Sequence, residues 1–211
     1  MQQPASIDPS VWAVIEDYEA RARREEELWS TLSDAEAAAR LDELLLPVGR
    51  ATGSLMNLLI REAEASRILE VGSSYGYSTT WLAEAARAIG GKVVSLELRA
   101  AKTEYARTQL ARAGLEGFVE FRVGDALGSL AKLAGPFDFV LIDLWKDLYV
   151  PVFELLYPRL APGALIVADN MLHPESARGH ARAYQQRVRA AADMSSVLLE
   201  VGNGLELSRY R

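Results

Sequence analysis

The sequence predicts an α/β protein with a doubly wound, mostly parallel seven-stranded sheet and an antiparallel C-terminal hairpin. From residue 67 onward, short apolar runs alternate with helix-length segments, which is typical of parallel strands with helices on both faces. The last two runs are joined by Asn203 and Gly204, a pair suited to a tight hairpin turn. The length of 211 residues suits one domain over 1–211, of which 1–50 is a helical extension.

Each element follows from a local pattern. Asp8 with Pro9 begins a first helix, the capping box at 33–36 begins a second, and leucines at helical spacing predict a third over 53–64. Apolar runs predict strands at 68–71, 93–96, 119–123, 137–142, 164–168, 196–201 and 205–210. The intervening helices are predicted at 78–88, 100–113, 127–133, 148–160 and 177–192. This order is Rossmann-like, and ligands of such sheets bind at the carboxyl ends of the strands.

The composition excludes several classes of partner. A net charge of −6 argues against binding to a nucleic-acid backbone, which requires a basic face. The sequence contains no apolar run of about 18 residues and no secretory signal, so we expect a cytoplasmic protein without a membrane partner. It contains no cysteine, and a chain of this length buries enough surface to fold without disulfides. A small-molecule partner is therefore expected.

Glycines and acidic residues lie at or beside the carboxyl ends of the first three parallel strands. Gly72 and Gly76 follow the first strand, where glycine lets a ligand approach the backbone closely. Their spacing is not G-x-G-x-x-G, which weakens a dinucleotide interpretation. Glu70 precedes the glycines, Glu97 closes the second strand and Asp125 follows the third. A single acidic residue at a strand end is common, but the repeated pattern suits a ligand with a sugar, an amine and a positive centre.

Oxygen-bearing side chains follow the fourth and fifth strands. Asp143 ends the fourth, and Asp169 with Asn170 ends the fifth. Two carboxylates and an amide at one sheet edge favour Mg²⁺, Mn²⁺ or Ca²⁺ over zinc. The alternative is that Asp169 and Asn170 only start a turn and cap the next helix.

These motifs together resemble the class I S-adenosylmethionine-dependent methyltransferases, and among them the cation-dependent O-methyltransferases of the catechol and caffeoyl-CoA type. The similarity runs from about residue 44 to the C-terminus. It includes LLLPVGRATG, ILEVGSSYGYS, VVSLE, VGDA, FDFVLIDLWKDLY and ADN, of which the last two are the most specific.

The resemblance implies roles for individual residues. Asp143, Asp169 and Asn170 would bind the cation, and Lys146 would be the base, because burial and a nearby cation both favour the neutral amine. The phenolic acceptor would contact Lys146, Asn170 and Glu206, although Glu206 could instead be a solvent-facing strand residue. The residues implied to line the S-adenosylmethionine pocket are Val48, Glu70, Gly72, Ser74, Ser78, Glu97, Asp125, Ala126, Asp143 and Trp145. In that pocket Glu97 would hold the ribose, and Asp125 would lie near the adenine.

The predicted function is divalent-cation-dependent O-methylation of a catechol-like or other phenolic molecule, with S-adenosylmethionine and Mg²⁺ as cofactors and Mn²⁺ or Ca²⁺ as alternatives. We also expect a homodimer. Leu144 replaces a histidine of the catechol enzymes, and Leu44 and Leu46 also depart from them, so the acceptor stays open. Two other functions are possible on this fold. One is a nicotinamide-dependent oxidoreductase, but this function does not explain Asp143 and Lys146. The other is a non-catalytic S-adenosylmethionine-binding protein.

Overall fold

A computed structural model describes residues 7–29, 31–32, 36, 40 and 43–211. The strands are β1 (Arg67–Val71), β2 (Lys92–Glu97), β3 (Val119–Val123), β4 (Phe137–Ile142), β5 (Leu160–Ala168), β6 (Met194–Leu199) and β7 (Leu205–Tyr210). The α-helices are α1 (Pro9–Trp29), α2 (Arg50–Glu62), α3 (Tyr77–Ile89), α4 (Ala100–Arg112), α5 (Ala126–Ala131), α6 (Tyr149–Leu156) and α7 (Arg178–Arg189). Among the described residues, no helix is both long and apolar enough to cross a membrane.

The seven strands form one sheet in the order β3-β2-β1-β4-β5-β7-β6. Strands β1 to β5 pair in parallel, and β7 lies antiparallel between β5 and β6. The strand order reverses between β1 and β4, which is the switch point where open α/β sheets bind ligands. Because Val71 pairs with Ile142 and Ile142 with Ala168, the residues that follow these three strands lie side by side.

Both faces of the central strands are buried, which explains their nearly continuous apolar sequences. Ile68 and Phe139 face the side covered by α1 to α4. Leu69 and Val140 face the opposite side, where α6 and α7 pack through Tyr149, Phe153 and Tyr184. The sheet therefore holds the loops at its carboxyl edge from two packed layers.

The predicted α/β class and the antiparallel C-terminal hairpin are confirmed. The helix predicted over 148–160 is wrong at its end, because α6 stops at Leu156 and β5 already begins at Leu160, which pairs with Phe137. The predicted two-residue turn is also wrong, since Leu199 pairs with Leu205 across a five-residue connection at 200–204. The capping box predicted at 33–36 lies largely outside the described residues.

Candidate active site

At two positions, the loop between β1 and α3 approaches neighbouring chain segments too closely for a side chain. Gly72 has a φ of 95°, and a Cβ there would lie 2.1 Å from the carbonyl oxygen of Asp143. Gly76 has a φ of 94°, and a Cβ there would lie 2.6 Å from the Cβ of Ala106. Both positions therefore require glycine, which fixes this loop against the end of β4 and against α4.

Glu97 reaches back from the end of β2 to the same glycine loop. Its carboxylate accepts hydrogen bonds from the backbone N–H of Ser74 at 2.9 Å and of Arg99 at 2.8 Å. The Ser74 hydroxyl donates to the carbonyl of Leu45 at 3.2 Å, so the segment before α2 closes over the loop. The structure thus brings together three residues of the predicted cofactor pocket: Gly72, Ser74 and Glu97.

Glu70 lies beneath the loop and not at its surface. Its carboxylate is completely buried and accepts hydrogen bonds of 2.6 Å from the hydroxyls of Ser78, Thr79 and Ser95. Burial raises the pKa of Glu70 to about 7, against the lowering effect of these three hydrogen bonds. Glu70 therefore ties β1 to β2 and α3, and the cofactor contacts of Glu70 and Ser78 stay predictions.

The raised pKa of Glu70 predicts a pH-dependent stability. The folded protein binds the proton of the Glu70 carboxyl more tightly than the unfolded chain does. The stabilisation of the fold by this proton is therefore complete below pH 4.5 and is lost as the pH rises through about 7. Relative to Glu70→Gln, the wild-type free energy of unfolding should fall by up to about 3 kcal/mol across this range. Urea unfolding of both proteins at a series of pH values measures the difference. A difference that is constant with pH would contradict the raised pKa.

The other predicted cofactor residues lie around the same edge. Asp125 caps α5 by accepting a hydrogen bond from the backbone N–H of Gly128 at 2.7 Å, and Ala126 begins that helix. Val48 is buried just before α2. Trp145 is 56% exposed, which leaves its ring accessible to a ligand.

The ends of β4 and β5 carry the predicted metal ligands. The backbone N–H of Asp169 donates to the carbonyl of Ile142 at 3.1 Å, which places Asp169 beside Asp143. The Asp169 side chain is 1% exposed, and its Oδ1 atom has no hydrogen-bond partner among the described residues. Burial, and next the charge of Asp143, raises the pKa of Asp169 above its usual range.

This arrangement fits a divalent cation. A buried carboxylate oxygen without a partner is costly, and so is a second carboxylate beside it. A cation relieves both penalties. Asn170 follows with a φ of 59°, a left-handed conformation that asparagine tolerates, and it is half-buried. In the described part of the chain no group of three or more His, Cys, Asp and Glu residues could hold a metal, so two carboxylates and an amide are the candidate donors.

Lys146 points back into this edge from the one-turn helix Lys146–Leu148. Its Nζ atom lies 3.2 Å from Oδ1 of Asp143 and donates to the carbonyl of Leu144 at 2.9 Å. It also donates to the hydroxyl of Tyr149 at 2.7 Å. The lysine side chain is 15% exposed. It is therefore not the solvated surface cation that a lysine ordinarily is, and the structure joins it to the predicted metal ligands.

Tyr149 is a polar contact at this edge that the sequence analysis did not single out. Its side chain is fully buried, and its hydroxyl donates to the carbonyl of Asp169 at 3.1 Å. Burial, and next the charges of Asp143 and Asp169, raises the pKa of Tyr149 well above its usual value. Its position three residues after Lys146 is the signal that could have found it, because such residues share one face of a helix.

Glu206 pairs with Ala168, and its side chain is held by residues of α7. Its side chain has no exposed surface, and its carboxylate accepts hydrogen bonds from Arg189 at 2.9 and 3.0 Å and from Gln185 at 2.8 Å. The hydroxyl of Ser196 is a further donor. These donors already hold the carboxylate, and the predicted contact of Glu206 with the acceptor stays a prediction. The solvent-facing alternative is wrong, because α7 covers this face of β7.

The connection at 200–204 contacts the loop that follows Asn170. Its carbonyls accept hydrogen bonds from the backbone N–H of Met171 at 3.0 Å and of Leu172 at 2.9 Å. Gly204 has a φ of 88°, and a Cβ there would lie 2.5 Å from the Cγ of Leu172. The C-terminal hairpin thus holds the loop that follows Asn170.

Comparison with known proteins identifies the class to which this fold and site belong. The structure superimposes on the O-methyltransferase from Bacillus cereus in complex with SAH with a TM-score of 0.73 and 28% sequence identity, covering 92% of this chain and 100% of that chain. A family model described as O-methyltransferase matches residues 19–210. The chain belongs to this O-methyltransferase family. Membership favours the methyltransferase interpretation over the nicotinamide-dependent oxidoreductase.

Two curated relatives carry a more specific name. A catechol O-methyltransferase from Mycobacterium tuberculosis is 41% identical over 128 residues, which is 60% of this chain and 58% of that protein. A catechol O-methyltransferase from Niastella koreensis is 38% identical over 124 residues, which is 57% of this chain and 56% of that protein. The matched region therefore spans a little more than half the length of each relative.

Proposed function

We propose that this protein transfers the methyl group of S-adenosylmethionine to a hydroxyl of a catechol-like or other phenolic small molecule, with Mg²⁺ or a similar divalent cation. One observation carries the proposal: the largely buried Lys146 and the buried Oδ1 of Asp169, which has no partner among the described residues, lie at the same sheet edge as the glycine loop. SAH in the Bacillus cereus structure supports the methyl donor, and the names of the curated relatives support a phenolic acceptor.

The donor would lie over the glycine loop. Gly72 and Gly76 would hold this loop in position, because both pack against neighbouring parts of the chain too closely for a side chain. Glu97 would accept hydrogen bonds from the ribose hydroxyls. Because the Ser74 N–H already holds Glu97, the position of the loop and the position of the ribose are linked. The exposed ring of Trp145 offers a surface on which the adenine would stack.

The acceptor would lie beside the carboxylates and the lysine. Asp143, Asp169 and Asn170 would hold the cation, which when bound stabilises negative charge on the acceptor oxygen and orients the acceptor. Lys146, as the free amine, would remove the acceptor's hydroxyl proton at Nζ. The oxygen then attacks the methyl carbon while the carbon–sulfur bond breaks on the opposite side. The main task of the protein is to hold oxygen, carbon and sulfur in line.

Binding of the donor is the first test. S-adenosylmethionine or SAH should raise the melting temperature, and a ligand at about 100 times its Kd stabilises the fold by about 2.7 kcal/mol. Glu97→Ala should lose most of this shift, because the ribose contact is lost. Glu120→Ala, which removes an exposed glutamate of β3, is the matched control and should keep it. A shift with a nicotinamide dinucleotide and none with S-adenosylmethionine would contradict the proposal.

Turnover is the second test. Phenolic acceptors are incubated with labelled S-adenosylmethionine and Mg²⁺, and methylated products are located by mass spectrometry. A protein that is stabilised by the donor but methylates no acceptor would favour the non-catalytic alternative. The homodimer, the cytoplasmic location and the single domain over 1–211 stay predictions, which gel filtration, fractionation and limited proteolysis would examine.

A further inference from the structure

The hydroxyl of Tyr149 joins the two loops of the candidate site in a defined direction. Lys146 donates to it from Nζ at 2.7 Å, and the hydroxyl donates to the Asp169 carbonyl at 3.1 Å. A carbonyl only accepts hydrogen bonds, and an ammonium only donates them. The single proton of the phenol is therefore directed at Asp169, and its lone pair is directed at Lys146.

Tyr149 differs from the other two partners of the lysine. The Leu144 carbonyl belongs to the loop that carries the lysine, and the Asp143 carboxylate is assigned above to the cation. Tyr149 lies at the start of α6, and its fully buried ring packs edge to face on Tyr184 with the ring centroids 5.6 Å apart. Because a lysine side chain has four rotatable bonds, its end group needs such a rigid partner to keep one position.

We propose that Tyr149 is the positioning residue for Lys146. It holds Nζ beside the Asp143 carboxylate, and it fixes the distance between the lysine and the turn that carries Asp169 and Asn170. The inference rests on the proposed function, in which Lys146 is the base. The competing explanation is that Tyr149 only fills the core, in which case the ring suffices and the hydroxyl is dispensable.

The substitution Tyr149→Phe separates these explanations, because it keeps the ring and removes the oxygen. Tyr184→Phe is the matched control. Tyr184 is fully buried in the same aromatic cluster, and its hydroxyl has no hydrogen-bond partner within the described residues. The control therefore removes the same atom from a neighbouring ring without breaking a hydrogen bond.

Kinetics give the first readout. Tyr149→Phe should lower kcat by about 10- to 100-fold, because small misplacements of a reacting group have effects of this size. KM for S-adenosylmethionine should stay within about twofold of wild type. The loss should shrink for more acidic phenols, since an acceptor that is already ionised needs no base. Tyr184→Phe should match wild type. An unchanged kcat in Tyr149→Phe, or an equal loss for acceptors of every acidity, would overturn the proposal.

Chemical labelling gives a readout that is independent of turnover. The full-length protein is acetylated with an amine-directed reagent, and mass spectrometry compares Lys146 with the exposed Lys132 as internal reference. Labelling of Lys146 should accelerate severalfold in Tyr149→Phe and not in Tyr184→Phe. Equal labelling in all three proteins would overturn the positioning role.

The two readouts separate the positioning role from the proposed function. A wild-type protein that methylates no phenol refutes the function, while the labelling result still decides the role of Tyr149. Should Tyr149→Phe fail to fold, proton exchange of the lysine ammonium groups in the wild type, measured by NMR, replaces it. Slow exchange at Lys146 supports the proposal, and exchange as fast as at Lys132 overturns it.

Discussion

Replacing Lys146 by alanine should lower kcat by about 10²- to 10⁴-fold, which is the usual effect of removing a general base. Affinity for S-adenosylmethionine should change far less, because the lost interaction belongs to the transition state. Part of the activity should return with acidic phenols or at high pH, where the acceptor ionises without help. Steady-state kinetics with phenols of graded acidity, together with calorimetric binding of SAH, measure both quantities.

Two further variants control this result. Lys146→Arg should stay inactive, because a guanidinium remains protonated at any usable pH. Lys132→Ala removes an exposed lysine and should behave as wild type. A nearly wild-type Lys146→Arg enzyme would show that the charge of the side chain positions the acceptor, and the general-base role would be wrong.

Removal of the divalent cation should abolish turnover and leave the stabilisation by SAH in place, because the cation is assigned to the acceptor and not to the donor. Asp169→Asn should behave like chelation, since it replaces the buried carboxylate by a neutral amide of the same shape. Without the cation this variant should be no less stable than wild type, because a buried charge without a partner is costly. Thermal melts with and without Mg²⁺, and turnover before and after chelation, provide the measurements.

The matched control for this variant is Asp147→Asn, which neutralises an exposed carboxylate next to Lys146. It should keep both turnover and the response to Mg²⁺. Adding Mg²⁺ back after chelation should restore the wild-type rate. Full activity in the presence of chelator, with metal removal verified by elemental analysis, would rule out the proposed role of the cation.

The sheet was predictable because buried parallel strands leave a simple pattern in the sequence. β3, β4 and β7 begin and end at the predicted residues, where their runs meet turn residues such as Pro136 and Gly124. The helix predicted over 148–160 was too long because apolar residues continue from α6 into β5. Periodicity alone does not separate a buried helix from a buried strand. Only the pairing of Leu160 with Phe137 reveals where β5 begins.

Those features of the candidate site that depend only on the order of the strands could be predicted from the sequence. Asp143 and Asp169 had to be neighbours once their strands were parallel and adjacent. The partners of a side chain depend on what packs over it, which the strand pattern does not encode. Glu206 is an example, because its carboxylate accepts a hydrogen bond from Arg189 of α7, a partner that the strand pattern does not predict. Tyr149 is a second example, because its hydroxyl contacts Lys146 and Asp169, which lie on two different loops.

The position of β7 between β5 and β6 has a consequence for how the protein is made. The loop after Asn170 rests on the connection at 200–204, and β7 pairs along β5 up to the pair Ala168 and Glu206. During synthesis, Asp143, Lys146 and Asp169 leave the ribosome well before the strand that completes their surroundings. A nascent chain already carries these side chains but lacks the connection that holds the loop after Asn170. The loop after Asn170 therefore gains these backbone partners, the carbonyls of Asn203 and Gly204, only when the connection between β6 and β7 has been made.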